Sequence, residues 1–242
     1  MKKPLFSIIV PAYNEEKTIR QCLRSLKGQT FRDFEIIVVN NNSTDKTAEI
    51  AKKEVKKVLL EKKQGYIYAV NRGAREAKGE FISFADADSF YPADWLLKAA
   101  KWIEKKPHIV GLYGTTKFYD YNPIFNFLSW LTFSVFLHFS KLLGHHNTAG
   151  FNFIMRRKIY FQVGGYNPKI YNSVGIDMEL GLRLARHGEL VLDTSSFSYT
   201  SSRRYKKNGL IKTTWMFLDA WLRLHFGKKQ KIDYSQYNKE RR

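Results

Sequence analysis

Short apolar runs alternate with amphipathic helical patterns through the first half of the chain, and few folds accommodate such an order. The apolar runs, rich in β-branched residues, cover positions 5–10, 34–39, 58–60 and 81–84. Runs of this length predict buried strands. A strand–helix–strand–helix order predicts a parallel sheet with helices on its faces. The sequence therefore predicts an α/β fold with a Rossmann-like, mostly parallel sheet.

The helical patterns between these runs carry start and stop signals. Asn14, followed by Glu15 and Glu16, predicts the cap of a first helix that ends at Gly28. Apolar residues recur on one face of this helix, at Ile19, Cys22, Leu23 and Leu26. The single cysteine is therefore expected to lie in the core. A second helix is expected to end near position 57, and a third to open at positions 64–65.

Polar residues collect where the predicted strands end, at positions 11–14, 40–43 and 85–88. Ligands of parallel sheets bind at the carboxyl ends of the strands. Asp86 and Asp88 flank a single alanine directly after the fourth run. Mg²⁺ and Mn²⁺ favour carboxylate oxygens and commonly share their shell with substrate phosphates. The pair therefore predicts a divalent metal site, and the alternative is a loop cap.

The second half contains a long apolar segment with almost no charge. Between Asp120 and Arg156 the only formally charged residue is Lys141, and positions 123–144 are dense in Phe, Leu and Trp. Three interpretations stay open: a transmembrane helix, an interfacial amphipathic helix or hairpin, and a buried core helix. A second amphipathic candidate covers positions 210–226, and basic residues flank it. This arrangement suits an anionic membrane surface.

The charge balance points to an anionic partner. Lys and Arg number 41 against 22 Asp and Glu, a formal net charge of +19. No nucleic-acid-binding motif is recognisable, and the excess charge lies beside apolar helices, so we expect no nucleic acid partner.

One cysteine excludes an internal disulfide framework. The first residues lack the apolar run of a signal peptide, which predicts a cytoplasmic location.

Five segments, in order, resemble the inverting glycosyltransferases of family 2, which have the GT-A fold. They are SIIVPAYNE at 7–15, IIVVNNNSTD at 36–45, FADAD at 84–88, GFNF at 150–153 with VGGY at 163–166, and DMEL at 177–180 with LRL at 182–184. Arg203 and Arg204 resemble a basic pair near the end of the family's catalytic domain. The resemblance covers roughly residues 5 to 205.

The resemblance implies a role for each matching residue. Asp177 would be the general base that takes a proton from an acceptor hydroxyl. The metal ion would be held by Asp86 and Asp88. The nucleotide would be bound by Pro11, Ala12, Tyr13, Glu15, Asn41, Arg72 and Asp86. The acceptor or a phosphate would be contacted by Gly150, Asn152, Arg203 and Arg204.

Two positions depart from the family pattern. Asn40 and Asn41 stand where the family often has paired acids. An amide both donates and accepts hydrogen bonds, so Asn41 could serve uracil or guanine, and a UDP- or a GDP-linked donor stays open. Ile176 stands where a glutamate usually precedes the base, and its apolar side chain could raise the pKa of Asp177 by desolvation. The alternative role of Asp177 is a helix N-cap before Met178.

The expected organisation is a single GT-A domain over 1–227 and a basic tail over 228–242. Residues 1–115 would form the nucleotide-sugar half and 116–227 the acceptor half with membrane-interface helices. The expected function is metal-dependent inverting transfer of a sugar from a nucleotide-sugar to a lipid-linked or glycan acceptor. The enzyme would lie peripherally on the inner face of the cell membrane. The alternatives are a polyprenyl-phosphate sugar synthase and a non-catalytic sugar-nucleotide-binding protein.

Overall fold

The computed structural model describes residues 3–166 and 175–226, and the predicted basic tail lies outside them. The strands are β1 (Phe6–Ala12), β2 (Phe34–Asn40), β3 (Val58–Leu60), β4 (Phe81–Phe84), β5 (Gly111–Phe118), β6 (Phe153–Arg156) and β7 (Leu190–Thr200). The helices are α1 (Ile19–Lys27), α2 (Thr47–Glu54), α3 (Tyr66–Glu76), α4 (Trp95–Lys105), α5 (Pro123–Leu142), α6 (Arg157–Gln162), α7 (Ile176–Ala185), α8 (Arg203–Asn208) and α9 (Leu210–His225).

The strands form one sheet of seven in the order β3-β2-β1-β4-β6-β5-β7. β1 pairs in parallel with β2 and β4, and β5 pairs in parallel with β7. β6 runs antiparallel to both of its neighbours. The mostly parallel α/β sheet expected from the sequence is therefore confirmed. β5 crosses the boundary expected at 115/116, so the same sheet runs through both halves of the chain.

Alternating side chains of the sheet face two hydrophobic cores. Ile8 and Val10 of β1 pack with Cys22 and the other apolar residues of α1 on one face. Ile9 packs on the other face, where α3 contributes Val70. The expectation that Cys22 lies in the core is confirmed, since its side chain is buried. Both faces of the sheet are covered, which leaves the ends of its strands for ligands.

Two helix boundaries differ from the sequence expectation. α1 begins at Ile19, because the preceding residues form a turn in which Asn14 adopts a positive φ of 53°. Asn14 joins two loops instead of capping the helix. α2 ends at Glu54 rather than near 57, because Val55 is already extended. The expected end of α1 is confirmed, since Gly28 is its C-cap.

The long apolar segment forms α5, whose polarity is inverted. Its buried positions are Ser134, Leu137 and Ser140. Large apolar side chains are exposed on the opposite side, which we call the outer face of α5: Ile124, Phe127, Leu128, Leu131, Val135, Phe139 and Leu142. Their spacing follows the helical period, so they form one continuous stripe. Among the described residues, α5 is the helix long and apolar enough to cross a membrane, and 17% of its apolar window is buried.

α9 packs against α5 through a polar contact. The indole Nε1 of Trp221 donates to Ser140 Oγ at 2.9 Å, and the Trp221 ring lies 5.7 Å from that of Phe136. The expected second amphipathic helix is therefore present. Ile211 and Trp215, one helical turn apart on α9, are 86% and 63% exposed.

Candidate functional site

The ends of β1, β2 and β4 meet at one side of the sheet, which we call the carboxyl edge (residues 11–15, 40–47 and 85–90). Side chains join its loops. Asn14 Oδ1 accepts from the Thr44 amide at 2.9 Å, and the Asn14 amide donates to Ser43 Oγ. The Glu15 amide donates to Thr47 Oγ1 at 2.8 Å. The sequence-predicted residues Pro11, Ala12 and Tyr13 lie in the strand end and loop that these bonds hold.

The buried carboxylate of Glu15 and the partly buried carboxylate of Asp88 share one guanidinium at the carboxyl edge. Glu15 is 6% exposed, and the side chain of Asp88 is 13% exposed. Arg203 Nη2 lies 2.9 Å from Glu15 Oε1 and 2.8 Å from Asp88 Oδ2. Thr18 Oγ1 also donates to Glu15, at 2.7 Å. Buried charges need such partners. Arg203, placed by the first turn of α8, therefore ties the C-terminal helices to the expected donor site.

The carboxylates of the carboxyl edge fit a divalent cation of the Mg²⁺ type. Asp86 and Asp88 offer hard oxygens on either side of Ala87, at the end of β4. Within the described residues, no group of three His, Cys, Asp or Glu side chains could hold a metal ion. Mg²⁺ is commonly bound by one or two carboxylates together with substrate phosphates. The donor set therefore suits a cation that is completed by a diphosphate.

Asn41 organises the loop that precedes α3. Its Nδ2 donates to the carbonyl oxygens of Glu61 and Lys63, at 3.1 and 2.7 Å. Its Oδ1 accepts from the Gly65 amide at 2.7 Å. A carboxylate could not donate the first two bonds. The replacement of the family's usual acid by asparagine thus has a structural cause, and contact of Asn41 with a base stays a prediction.

Asp177 lies in the first turn of α7, in a ring of polar contacts. The Tyr166 hydroxyl donates a hydrogen bond to Oδ1 of Asp177. Burial raises the pKa of Asp177, and hydrogen bonds from Tyr166 and the Gly150 amide, with the charge of Arg204, oppose this rise. The helix begins at Ile176 with Gly175 as its N-cap, so Asp177 is not the cap. The alternative structural role is therefore not supported.

Gly150 leaves room for the carboxylate of Asp177. A Cβ atom at this position would lie 3.1 Å from the Tyr66 hydroxyl and 3.4 Å from both carboxylate oxygens of Asp177. Thr148 anchors the same segment, since its hydroxyl donates to the Asp177 carbonyl oxygen. The segment before β6 thus seats the carboxylate of Asp177, and its contact with an acceptor stays a prediction.

The two arginines at the start of α8 interact with different carboxylates. Arg203 contacts Glu15 and Asp88, whereas Arg204 is close enough to Asp177 to affect its pKa. Adjacent residues of one short helix therefore connect the donor carboxylates with the candidate base. The resemblance implies that this pair contacts the acceptor or a phosphate, and such a contact stays a prediction.

Two other predicted residues have different surroundings. Asn152 is 3% exposed, and its Oδ1 accepts from Trp95 Nε1 at 2.8 Å. Its Nδ2 donates to the carbonyl oxygens of Thr115 and Ser196, both at 2.9 Å, beside a register shift between β5 and β7. Asn152 thus joins α4 to the sheet and offers the site no free polar group. Arg72 lies on α3, 3.5 Å from Glu76, and its contact with nucleotide stays a prediction.

Sequence motifs do not single out several residues at the site. Tyr166 occurs only as the last residue of the VGGY segment, and Tyr66 and Thr148 belong to none of the five segments. Tyr166 lies 11 residues before Asp177, a separation that carries no helical or strand periodicity. A usable signal was present, because a tyrosine directly after paired glycines places a hydroxyl on a tight turn.

Known proteins resemble this chain in sequence and in fold. The family described as "Glycosyl transferase family 2" matches residues 7–164. A "PGL/p-HBAD biosynthesis glycosyltransferase" of Mycobacterium bovis is 30% identical over 198 residues, 79% of this chain and 73% of that protein. The "Putative glycosyltransferase EpsH" of Bacillus subtilis is 40% identical over 100 residues, 39% of this chain. The chain covers only 29% of the length of EpsH.

The fold also matches a solved structure with bound ligands. The mannosyltransferase PcManGT from Pyrobaculum calidifontis, in complex with GDP-Man and Mn²⁺, superposes with a TM-score of 0.73. The match covers 96% of this chain and 67% of that one, with 19% sequence identity. The likeness at this identity establishes the common GT-A fold.

Proposed function

This chain belongs to glycosyl transferase family 2, and we propose that it is a metal-dependent inverting enzyme with a UDP- or GDP-linked sugar donor. The acceptor is a lipid-linked or glycan hydroxyl at the cytoplasmic face of the membrane. One observation carries the proposal. Arg203 binds the carboxylates of Glu15 and Asp88, and the charge of the adjacent Arg204 opposes the rise in the pKa of Asp177. We therefore place the donor site and the base near one pair of adjacent cations.

The residues assign the steps of the reaction. Asp177 accepts the proton of the acceptor hydroxyl as the oxygen forms a bond to the anomeric carbon. The bond from that carbon to the diphosphate oxygen breaks on the opposite face, so the configuration inverts. Arg203 and Arg204 offset charge on the departing diphosphate. When bound at Asp86 and Asp88, Mg²⁺ or Mn²⁺ would supply further stabilisation of that charge.

Thermal melting with ligands tests the donor site. We expect UDP or GDP with Mn²⁺ to raise the melting temperature, because binding to the folded state adds stability of about 2.7 kcal/mol at 100 times Kd. Asp88→Asn should remove the dependence on Mn²⁺. Asp94→Asn serves as the control, because Asp94 is a half-exposed carboxylate paired with Lys98, six residues further along the chain than Asp88. Equal melting temperatures with and without nucleotide and metal would contradict the donor assignment.

The inverted polarity of α5 supports a peripheral position on an anionic membrane. Its outer face presents a stripe of Ile, Leu, Val and Phe, while its serines face inward. An exposed apolar surface of this extent is typical of a site that contacts a membrane or another protein. Lys206 and Lys207 on α8 and Lys212 on α9 bring cations to the neighbouring helices, and the whole chain carries +19. Apolar surface bordered by cations fits an anionic bilayer.

Vesicle flotation tests this position. Wild-type protein should float with vesicles of phosphatidylcholine and phosphatidylglycerol, and less with phosphatidylcholine alone. Leu128→Ser combined with Leu131→Ser should weaken binding at least about 10-fold, because each buried Leu contributes about 1.5–3 kcal/mol. Thr132→Ala, exposed on the same helix, is the matched control. Protein that stays in the soluble fraction with both vesicle types would overturn the membrane proposal.

A further inference from the structure

We infer that Tyr166 is a positioning residue, whose hydroxyl holds the Asp177 carboxylate in the orientation in which it accepts the acceptor's proton. The inference rests on the proposed role of Asp177 as the base. The Tyr166 hydroxyl donates to Asp177 Oδ1. The side chain of Tyr166 is 1% exposed, and a buried phenol needs a partner for its hydroxyl. At this position the partner is the candidate base.

Three aromatic rings hold the Tyr166 ring in place. Phe84, the last residue of β4, lies 5.5 Å away between ring centroids. Tyr160 of α6 lies at 6.2 Å and Tyr66 of α3 at 6.4 Å, both in edge-on geometry. Such pairs favour fixed ring orientations. With only two side-chain torsions to fix, the packing sets where the hydroxyl points.

The backbone of Tyr166 is tied to the helix that carries Asp177. Arg183 of α7 donates from Nη1 to the Val163 carbonyl oxygen and from Nη2 to that of Gly165, the latter at 2.9 Å. Glu179, also on α7, orients Arg183 through bonds of 2.8 Å. α7 therefore carries Asp177 and also holds the turn that directly precedes Tyr166.

A second set of contacts ties Tyr166 to the donor half. Asn71 of α3 donates from Nδ2 to the Tyr166 carbonyl oxygen at 2.9 Å. Its Oδ1 accepts from the Tyr160 hydroxyl at 2.7 Å, and the Tyr166 amide lies 3.3 Å from that same hydroxyl. Hydrogen bonds from both halves of the chain thus converge on one tyrosine. A phenylalanine at position 166 could make the same ring contacts, whereas only the tyrosine hydroxyl can donate to Asp177.

The charged and titratable groups that face Asp177 come from several elements. Tyr166 follows α6, Tyr66 belongs to α3, and Arg204 belongs to α8. On α7 itself, Glu179 is paired with Arg183. Removing the Tyr166 hydroxyl deletes a donor to the carboxylate and leaves these other charges in place. Since a donor stabilises the ionised form, its loss raises the pKa of Asp177.

Carbon-13 NMR of protein labelled at the aspartate carboxyl carbons tests the inference directly. The Asp177 signal is the one that Asp177→Asn removes. We expect Tyr166→Phe to raise the pKa of Asp177 by about one unit, since one unit corresponds to about 1.4 kcal/mol and a bond to a charged group contributes about that much. Tyr113→Phe is the matched control, because Tyr113 is equally buried and its hydroxyl lies 3.2 Å from His146 Nδ1 instead of an aspartate.

An unchanged Asp177 pKa in Tyr166→Phe, or an equal rise in Tyr113→Phe, would overturn the inference. A second measurement needs no Tyr166 variant. The Tyr166 hydroxyl proton of the wild type should move upfield in Asp177→Asn, because a neutral amide oxygen is a weaker acceptor than a carboxylate. A hydroxyl proton that stays in place in that variant would equally overturn it.

Turnover separates this inference from the proposed function. Nucleoside diphosphate release from a UDP- or GDP-sugar should show an acid limb that moves to higher pH in Tyr166→Phe, with the KM for the donor unchanged. If Asp177→Asn retains full turnover, the role of Asp177 as base fails, even where the carbon-13 titration shows the contact. If Asp177→Asn is inactive and Tyr166→Phe keeps the wild-type pH profile, only the positioning role fails.

Discussion

The carboxyl edge of the sheet encloses charged side chains, whereas the outer face of α5 exposes apolar ones. At the edge, Glu15 and Asp88 are enclosed and share the guanidinium of Arg203. On α5, Ser134 and Ser140 face inward, and large apolar side chains face outward. Enclosed charge requires a partner within the protein, whereas exposed apolar surface requires one outside it. The comparison distinguishes a site whose charges are paired within the chain from a surface that would be covered by a membrane or another binding partner.

The largest expected effect concerns the assembled site. Asp177→Asn should lower kcat about 10²- to 10⁴-fold, the range contributed by a general base, while melting with nucleotide and Mn²⁺ stays normal. Nucleoside diphosphate release and melting curves measure the two properties. Asp219→Asn, a carboxylate paired on α9, is the control. Turnover that persists in Asp177→Asn would instead favour an anionic acceptor such as a polyprenyl phosphate, which needs no base.

Asp177 should also make the stability of the wild-type protein depend on pH. Burial raises the pKa of Asp177, partly opposed by its hydrogen bonds, so the folded state holds this proton more tightly than the unfolded state. Its contribution to the free energy of unfolding is therefore largest below the ordinary pKa and is lost as pH rises through the folded pKa. Asp177→Asn should remove this dependence. Denaturant unfolding between pH 4 and 7 measures it, and parallel curves for the two proteins would contradict it.

A matched pair of leucines on α5 tests the inverted helix. Leu137 is fully buried, whereas Leu131 is 42% exposed. Leu137→Ala should lower the free energy of unfolding by about 2–5 kcal/mol through lost packing and a cavity. Leu131→Ala should change it by at most about 0.5 kcal/mol. Urea unfolding without lipid measures both. Similar losses for the two variants would show that the outer face of α5 is covered within the protein.

The smallest effect returns to the carboxyl edge. Asn41→Asp should lower the free energy of unfolding by about 1–3 kcal/mol, because a carboxylate would face the carbonyl oxygens of Glu61 and Lys63 without a proton to donate. Asn42→Asp is a suitable control, since Asn42 is adjacent and exposed. Urea unfolding at neutral pH measures the change. Equal stability of the two variants would mean that the loop before α3 does not depend on the Asn41 amide.

The first four strands could be predicted because each is a compact apolar run between turn residues. The strands of the second half could not be assigned in the same way. β7, for example, has the sequence LVLDTSSFSYT, and its buried Ser196 and Ser198 resemble loop residues. β5 contains two glycines and two threonines for a similar reason. Polar residues that are buried by pairing leave no hydrophobic period to detect.

At the site, the motifs grouped Glu15, Asp88 and Arg203 but did not predict how these residues are paired. Asp88 and Arg203 are far apart in the sequence, and no local pattern indicates their contact. The bond between Tyr166 and Asp177 likewise depends on a turn held by Arg183. Asn41 departs from the family pattern for a reason that lies in the backbone of another loop. Such pairings depend on tertiary structure, which composition and spacing do not encode locally.

Asn152 carries a practical consequence for engineering. Its amide closes the gap where β5 and β7 shift register and also holds Trp95 of α4. In a library that randomises position 152, most clones should be lost at expression, because a substituted side chain leaves these buried groups unpaired. Activity screens of such a library would then sample few folded variants. A randomisation scheme for acceptor preference should hold this asparagine constant and vary exposed neighbours of the site.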